Sequence, residues 1–133
     1  MKRSYIGLAL SALVAVGAAL ILPSCGFQRK LVSITVTNDG ATITGPGLIL
    51  DFKAYGTYVH PPDTEDITNS VVWASSVPQA ISIVSNTGVA TSGRACGTNV
   101  AITASAYSNP QNDSGSVVVG TALVTVDQPG NCQ

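Results

Sequence analysis

From Leu31 onward, apolar and polar residues alternate with period two along most of the chain. Val32, Ile34 and Val36 are separated by Ser33, Thr35 and Thr37, which predicts a strand with one buried face. Leu48, Leu50, Phe52 and Ala54 predict the inward side of a second strand, extended by Tyr58, while Ile49, Asp51, Lys53 and Tyr55 point outward. Shorter strands are expected over 71–75, 81–85 and 89–91. The last two are joined through Asn86-Thr87-Gly88, because Asn and Gly tolerate positive φ. Val100, Ile102 and Ala104 share one face of the next strand, and a last strand runs over 116–126 with a bulge expected at Gly120. No part of this stretch sustains a helical period, and its abundant Ser and Thr suit exposed strand faces. Seven short strands in about 100 residues predict an all-β sandwich.

The first 24 residues follow a different rule. Lys2 and Arg3 precede an uncharged, mostly apolar run over 5–22, which ends in Leu22-Pro23-Ser24-Cys25-Gly26. The run reads as a secretory leader. An uncleaved membrane helix is the alternative, since about 18–20 apolar residues cross a bilayer. The whole chain has 133 residues, 45% hydrophobic and 10% charged, with 6 basic against 7 acidic residues. Those figures average two unlike parts. Without residues 1–24, which carry Lys2 and Arg3, 109 residues remain with 4 basic and 7 acidic side chains, a net charge of −3. A chain this size holds one core and no second domain. Nucleic-acid binding needs a clustered basic face, and the remaining basic residues are scattered. An aromatic content of 5% also argues against large stacking platforms.

Leu22 three residues before Cys25, with the small Ser24 between, resembles the lipobox of bacterial lipoproteins, although Pro23 departs from the usual pattern. The resemblance implies cleavage before Cys25 and acylation of its sulfur and amino group, so that lipidated Cys25 anchors the chain to a membrane through a short linker, 25–30. Gly26 in place of Asp implies sorting to the outer membrane where the cell has one. In an oxidising compartment Cys96 and Cys132 remain as an even pair, and a Cys96–Cys132 disulfide is expected, two free thiols being the alternative.

Four segments carry a second resemblance: Leu31-Val32-Ser33-Ile34-Thr35-Val36, Val71-Val72-Trp73-Ala74-Ser75-Ser76, Ile83-Val84-Ser85-Asn86-Thr87-Gly88-Val89-Ala90 and Gly97-Thr98-Asn99-Val100-Ala101-Ile102-Thr103-Ala104. In that order they resemble a bacterial immunoglobulin-like domain of group 2 over 31–127, with a tail over 128–133 that carries Cys132. The resemblance implies a seven-stranded immunoglobulin-like sandwich. In such a fold the N-terminus lies at the same end as the loops 60–69 and 108–115, which then face the membrane. Loops 38–47, 76–80 and 92–97 share the far end with the C-terminus, where Cys96 and Cys132 should meet.

Candidate chemistry is thin. A Ser-His-acid triad would have to use His60, which sits in Val59-His60-Pro61-Pro62 and reads as a surface turn. Cys96 has no histidine near it in sequence to act as a base. Asp63, Glu65 and Asp66, with Asp113, Asn109 and Asn112 expected at the same end, offer hard oxygen ligands for Ca²⁺, against the alternative of solvated acidic loops. Trp73 reads as core, sharing a face with Val71, rather than as a sugar-stacking platform. The glycines match no phosphate loop. No enzyme activity and no cofactor are expected. What remains is a non-catalytic, lipid-anchored protein of the bacterial cell envelope that binds a surface protein or polysaccharide, with Asn38, Asp39 and Arg94 on the far loops as polar candidates. A purely structural lipoprotein or spacer is the alternative.

Overall fold

A computed structural model describes residues 28–130 and 132. The leader over 1–24, Cys25 with its expected acylation, and linker residues 26–27 lie outside the described residues. All regular structure among the described residues is β: β1 Lys30–Val36, β2 Thr42–Thr44, β3 Ile49–Asp51, β4 Ala54–Val59, β5 Asp63–Asp66, β6 Val72–Ser75, β7 Ile81–Ile83, β8 Val89–Ser92, β9 Gly97–Asn109 and β10 Ser114–Asp127. They form a four-stranded sheet, β2-β10-β9-β6, and two three-stranded sheets, β1-β4-β5 and β3-β8-β7. The result is a β-sandwich-like fold with one continuous core.

The long hairpin of β9 and β10 shows most directly how period two builds that core. Val100, Ile102 and Ala104 on β9, and Ala122, Val124 and Val126 on β10, are all at most 1% exposed. Residues between them face solvent, as the pleat requires. Against this face pack Leu31, Ile34 and Val36 of β1, Phe52, Ala54 and Tyr58 of the second strand region, and Ile81 and Ala90. Val71 and Trp73 are buried together on one face, as their spacing predicts.

The strand expected over 48–58 is divided in two. Its first part, β3, pairs with β8, and its second part, β4, pairs with β1 and β5. The two ladders meet at the break: the Phe52 N–H donates to Gly88 O and the Thr37 N–H donates to Lys53 O. Here the two small sheets join. Leu50 is only half-buried and Leu48 is 48% exposed, because the inward parity starts in earnest at Phe52.

Two further expectations are corrected. On β1 the register shifts between Leu31 and Ser33, which face Tyr58 and Thr57 respectively, so Val32 is the extra residue of a bulge. Leu31 therefore turns inward, and Val32 is 46% exposed instead of buried. Gly120 marks no bulge, since its pairing with Ala104 runs unbroken between Val119/Ser105 and Thr121/Thr103. Its hydrogen side chain serves another purpose. A Cβ there would stand 2.5 Å from the Ile34 carbonyl oxygen and 2.8 Å from Ile34 Cγ2, so glycine allows β1 to cross close over β10.

Ten strands replace the expected seven because one is divided, β2 alternates over three residues only, and β5 carries no alternation to announce it. Thr42–Thr44 pairs in parallel with the end of β10 over three residues only. Asp63–Asp66 is exposed on both faces.

At the far end Cys96 and Cys132 are disulfide-bonded, with Cα atoms 5.7 Å apart. Two buried polar side chains tie the same region. Ser92 Oγ accepts from the Leu48 N–H and donates to Gly45 O, and Gln128 Nε2 donates to Gly93 O.

Two stability predictions follow from these contacts. Gly120→Ala should lower the unfolding free energy by about 1–3 kcal/mol through overpacking against the Ile34 backbone, whereas Thr121→Ala on the exposed side should stay within about 0.5 kcal/mol. Urea midpoints of the two variants check this. Reducing the disulfide should remove about 4 kcal/mol in the loop-entropy picture; non-reduced peptide mapping should yield a Cys96–Cys132 linked pair, and alkylation of both thiols without reductant contradicts it.

Candidate functional site

The acidic segment that follows Tyr58 is organised by an arginine far away in sequence. β5 folds back on β4 through the turn at His60, which has φ 61° and precedes a cis bond to Pro61. Period two places Asp63 and Glu65 on one side of β5 and Asp66 on the other. Arg29 Nη2 lies 2.9 Å from Asp63 Oδ2 and Nη1 lies 2.9 Å from Glu65 Oε1. The same guanidinium stacks on the Tyr58 ring, 3.9 Å from its centroid. The hydrogen bond to Glu65, with the charges of Glu65 and Asp63, holds the arginine above its ordinary range. Burial pushes the Tyr58 phenol up. On the other side, Asn109 Nδ2 donates to Gln28 Oε1 at 3.0 Å. Gln28 and Arg29 thus lie between β5 and the β9–β10 hairpin, fastened to both.

Asp66 has a different task. Its Oδ1 accepts from the Thr68 N–H at 3.0 Å and from the Thr68 hydroxyl, closing a turn of the kind Asp favours. Thr68 Oγ1 in turn accepts from the Ala54 N–H at 3.1 Å, and Thr68 O accepts from the Trp73 indole at 2.8 Å. The two Thr68 hydrogen bonds, side-chain first, hold the Asp66 carboxyl below its usual range, with Lys53 at 3.6 Å adding to the effect.

The four carboxylates considered for Ca²⁺ therefore do not converge. Asp63 and Glu65 belong to Arg29, Asp66 belongs to Thr68 and Lys53, and Asp113 stands beside Ser70 and Tyr107 on the face of the other sheet. Among the described residues, no group of three or more His, Cys, Asp or Glu side chains could hold a metal ion.

The far-loop candidates are likewise separated. Asn38, at φ 63°, donates from Nδ2 to Asp51 O at 2.8 Å, and Asp39 Oδ1 accepts from the Leu123 N–H at 2.8 Å. Both side chains fasten the crossing from β1 to β2. Arg94 is exposed just beyond β8. Asp51 pairs with Val89 at the start of β8, whereas Arg94 lies beyond that strand's other end.

A polar hollow of about 520 Å³ lies on the outer surface. It opens where β3 meets β4, and Asp51, Lys53, Asp66, Thr68, Asn69 and Thr87 line it. The outward parity of Asp51 and Lys53 was readable from the strand pattern. The arrival of 66–70 beside them was not, because it depends on the Asp66 turn and the Trp73 indole. The hollow offers hydroxyls, an amide and a paired ammonium and carboxylate to a polar ligand, and its lining includes neither histidine nor cysteine. In comparisons with known proteins, no family model and no curated sequence matches the chain.

Because the folded-state pKa of Asp66 is depressed, its contribution to stability is present above the ordinary carboxylate pKa near 3.9 and is lost as pH falls through the folded value. Thr68→Val should raise the Asp66 pKa in a carboxylate NMR titration. It should also narrow the difference between urea midpoints measured near pH 6 and near pH 2, and an unchanged difference would show that Thr68 does not set this titration.

Proposed function

We propose that this chain is an exported, lipid-anchored protein of the bacterial cell envelope, built on a single immunoglobulin-like module of the group 2 bacterial type, and that it works by surface contact with a polysaccharide or protein. The finer fold reading is supported by strand order. If β3 and β4 count as one bent strand, β1, β3/β4, β8 and β7 form one layer and β6, β9 and β10 the other, as strands A, B, E, D and C, F, G do in that fold. β2 and β5 are then additions at the edges.

The observation that carries the anchoring reading is the fastening of Gln28 and Arg29. Cys25 lies three residues before Gln28, so at most about 11 Å of extended chain separates the cysteine from the domain. A domain held that closely, with its disulfide at the opposite end, suits an extracytoplasmic anchor. The contact surface in this reading is the hollow around Lys53, Asn69 and Thr87, in place of Asn38 and Asp39, whose side chains serve the backbone.

Expressed in full in a bacterial host, the chain should fractionate with membranes and start at an acylated Cys25 by mass spectrometry of its N-terminal peptide. Cys25→Ser should release it or leave the leader attached. A native chain that retains residues 1–24 overturns the anchor. Cosedimentation with insoluble envelope polysaccharide should weaken roughly tenfold for Asn69→Ala with Thr87→Ala, and equal binding by that variant removes the hollow from the reading.

A further inference from the structure

The outer face of the four-stranded sheet is not uniform along its length. Near the β9–β10 turn it exposes Val72 (63%), Val117 (59%), Val119 (54%) and Tyr107 (44%). These side chains are neighbours: Tyr107 pairs with Val117, and Ser105 stands between Val119 and Val72 in the next row. All point away from the core, since the inward parity of β9 and β10 belongs to the even-numbered residues. A shallow hollow of about 400 Å³ runs along the patch beside Pro110. One row further from the turn the same face presents Thr103 opposite Thr121. Beyond that row Leu123 is exposed again (43%) opposite Ala101, so the apolar surface is concentrated at the end where Asn109 holds Gln28 without being restricted to it.

We propose that this patch rests on the lipid surface to which Cys25 is tied, an inference that depends on the anchor reading above. Tyr107 and Val117 lie two to three strand positions from Asn109 and its partner Ser114, about 7–10 Å along the hairpin. The tether from Gln28 to Cys25 is of similar reach. A tethered domain meets its own membrane at a high effective concentration, so a patch too small to hold a free protein suffices. Four or five side chains fall far short of the roughly 20–30 residues per partner of a stable protein interface, which argues for lipid and against a second copy. Tyr107 fits a headgroup boundary, with an apolar ring and a polar tip.

The test uses the full chain reconstituted in phosphatidylethanolamine/phosphatidylglycerol vesicles, with a polarity-sensitive fluorophore on Val117→Cys or on Ile49→Cys, an exposed position on the other layer. Nitroxide-labelled lipid should quench the probe at 117 several-fold more than the probe at 49. An acylated chain that floats with the vesicles yet is quenched equally at both positions overturns this proposal alone. An unacylated chain that does not float overturns the anchor reading and this one with it. Disulfide crosslinking of Val117→Cys between copies, without lipid quenching, assigns the face to a second copy and also overturns it.

Discussion

Trp73 is the point through which the two layers are held in register. It belongs to the four-stranded sheet, and its ring meets Phe52 at a centroid distance of 6.3 Å and an angle of 49°. Phe52 is the residue at which the two smaller sheets join. The indole N–H reaches past the layer to Thr68 O, which satisfies a donor that burial at 3% exposure would otherwise leave unpaired. The ring edge adjoining that N–H closes on Gly88, where a Cβ would lie 3.1 Å from the indole and 2.5 Å from Phe52 O, at a φ of 74° that already favours glycine. One side chain thereby fixes the β3–β4 break, the 84–89 turn and the 66–70 turn. The polar hollow is the outer side of that arrangement: Lys53, Thr68 and Thr87 each stand within one residue of an atom that Trp73 constrains.

The two ends of the domain are secured by different chemistry. At the far end a covalent bond joins Cys96 to Cys132, and buried Ser92 and Gln128 satisfy loop carbonyls. At the near end the fastening is ionic and partly solvated, with Asp63 and Glu65 side chains 52% and 46% exposed. Such pairs contribute modestly to stability. Their value here is positional, since a guanidinium held by two carboxylates and a ring has little freedom left, and Arg29 therefore pins the residues just before β1 against β4 and β5.

Period two carried most of the fold, because one face of nearly every strand is buried and the pleat converts burial directly into alternation. It failed where that link is broken. β5 has no buried face, so Asp63-Thr64-Glu65-Asp66 reads as a loop although all four residues stand in register with Tyr55–Tyr58 as an edge strand. At the Leu31/Ser33 bulge a single extra residue flips the parity, which no count of apolar positions detects. The acidic cluster was legible as a cluster, but not its meaning. Arg29 neutralises two of its members from more than 30 residues away in sequence, and Thr68 claims the third through a local turn. Asn38 and Asp39 are residues that turns favour for their side-chain hydrogen bonds, and that role is what the structure gives them.

Charge placement narrows the kind of contact this domain can make. Of the four basic residues that follow the leader, Arg29 and Lys53 are engaged by Asp63, Glu65 and Asp66. Lys30 lies on β1 beside Arg29 at the near end, and Arg94 is exposed at the far end. At the hollow the one ammonium, Lys53, faces Asp66, and Asp51 adds a second carboxylate, so the charge there is mildly negative. On the proposed reading, recognition there rests on the hydroxyls of Ser70 and Thr87 and the amide of Asn69, the Thr68 hydroxyl being taken by Asp66 and the Ala54 N–H. These groups are short-ranged and directional, so they select by the geometry of a ligand's own hydroxyls and amides and give little long-range steering. A rigid surface suits such recognition, because hydrogen bonds lose most when their donors and acceptors must first be ordered, and the indole beneath the hollow supplies that order before any ligand arrives.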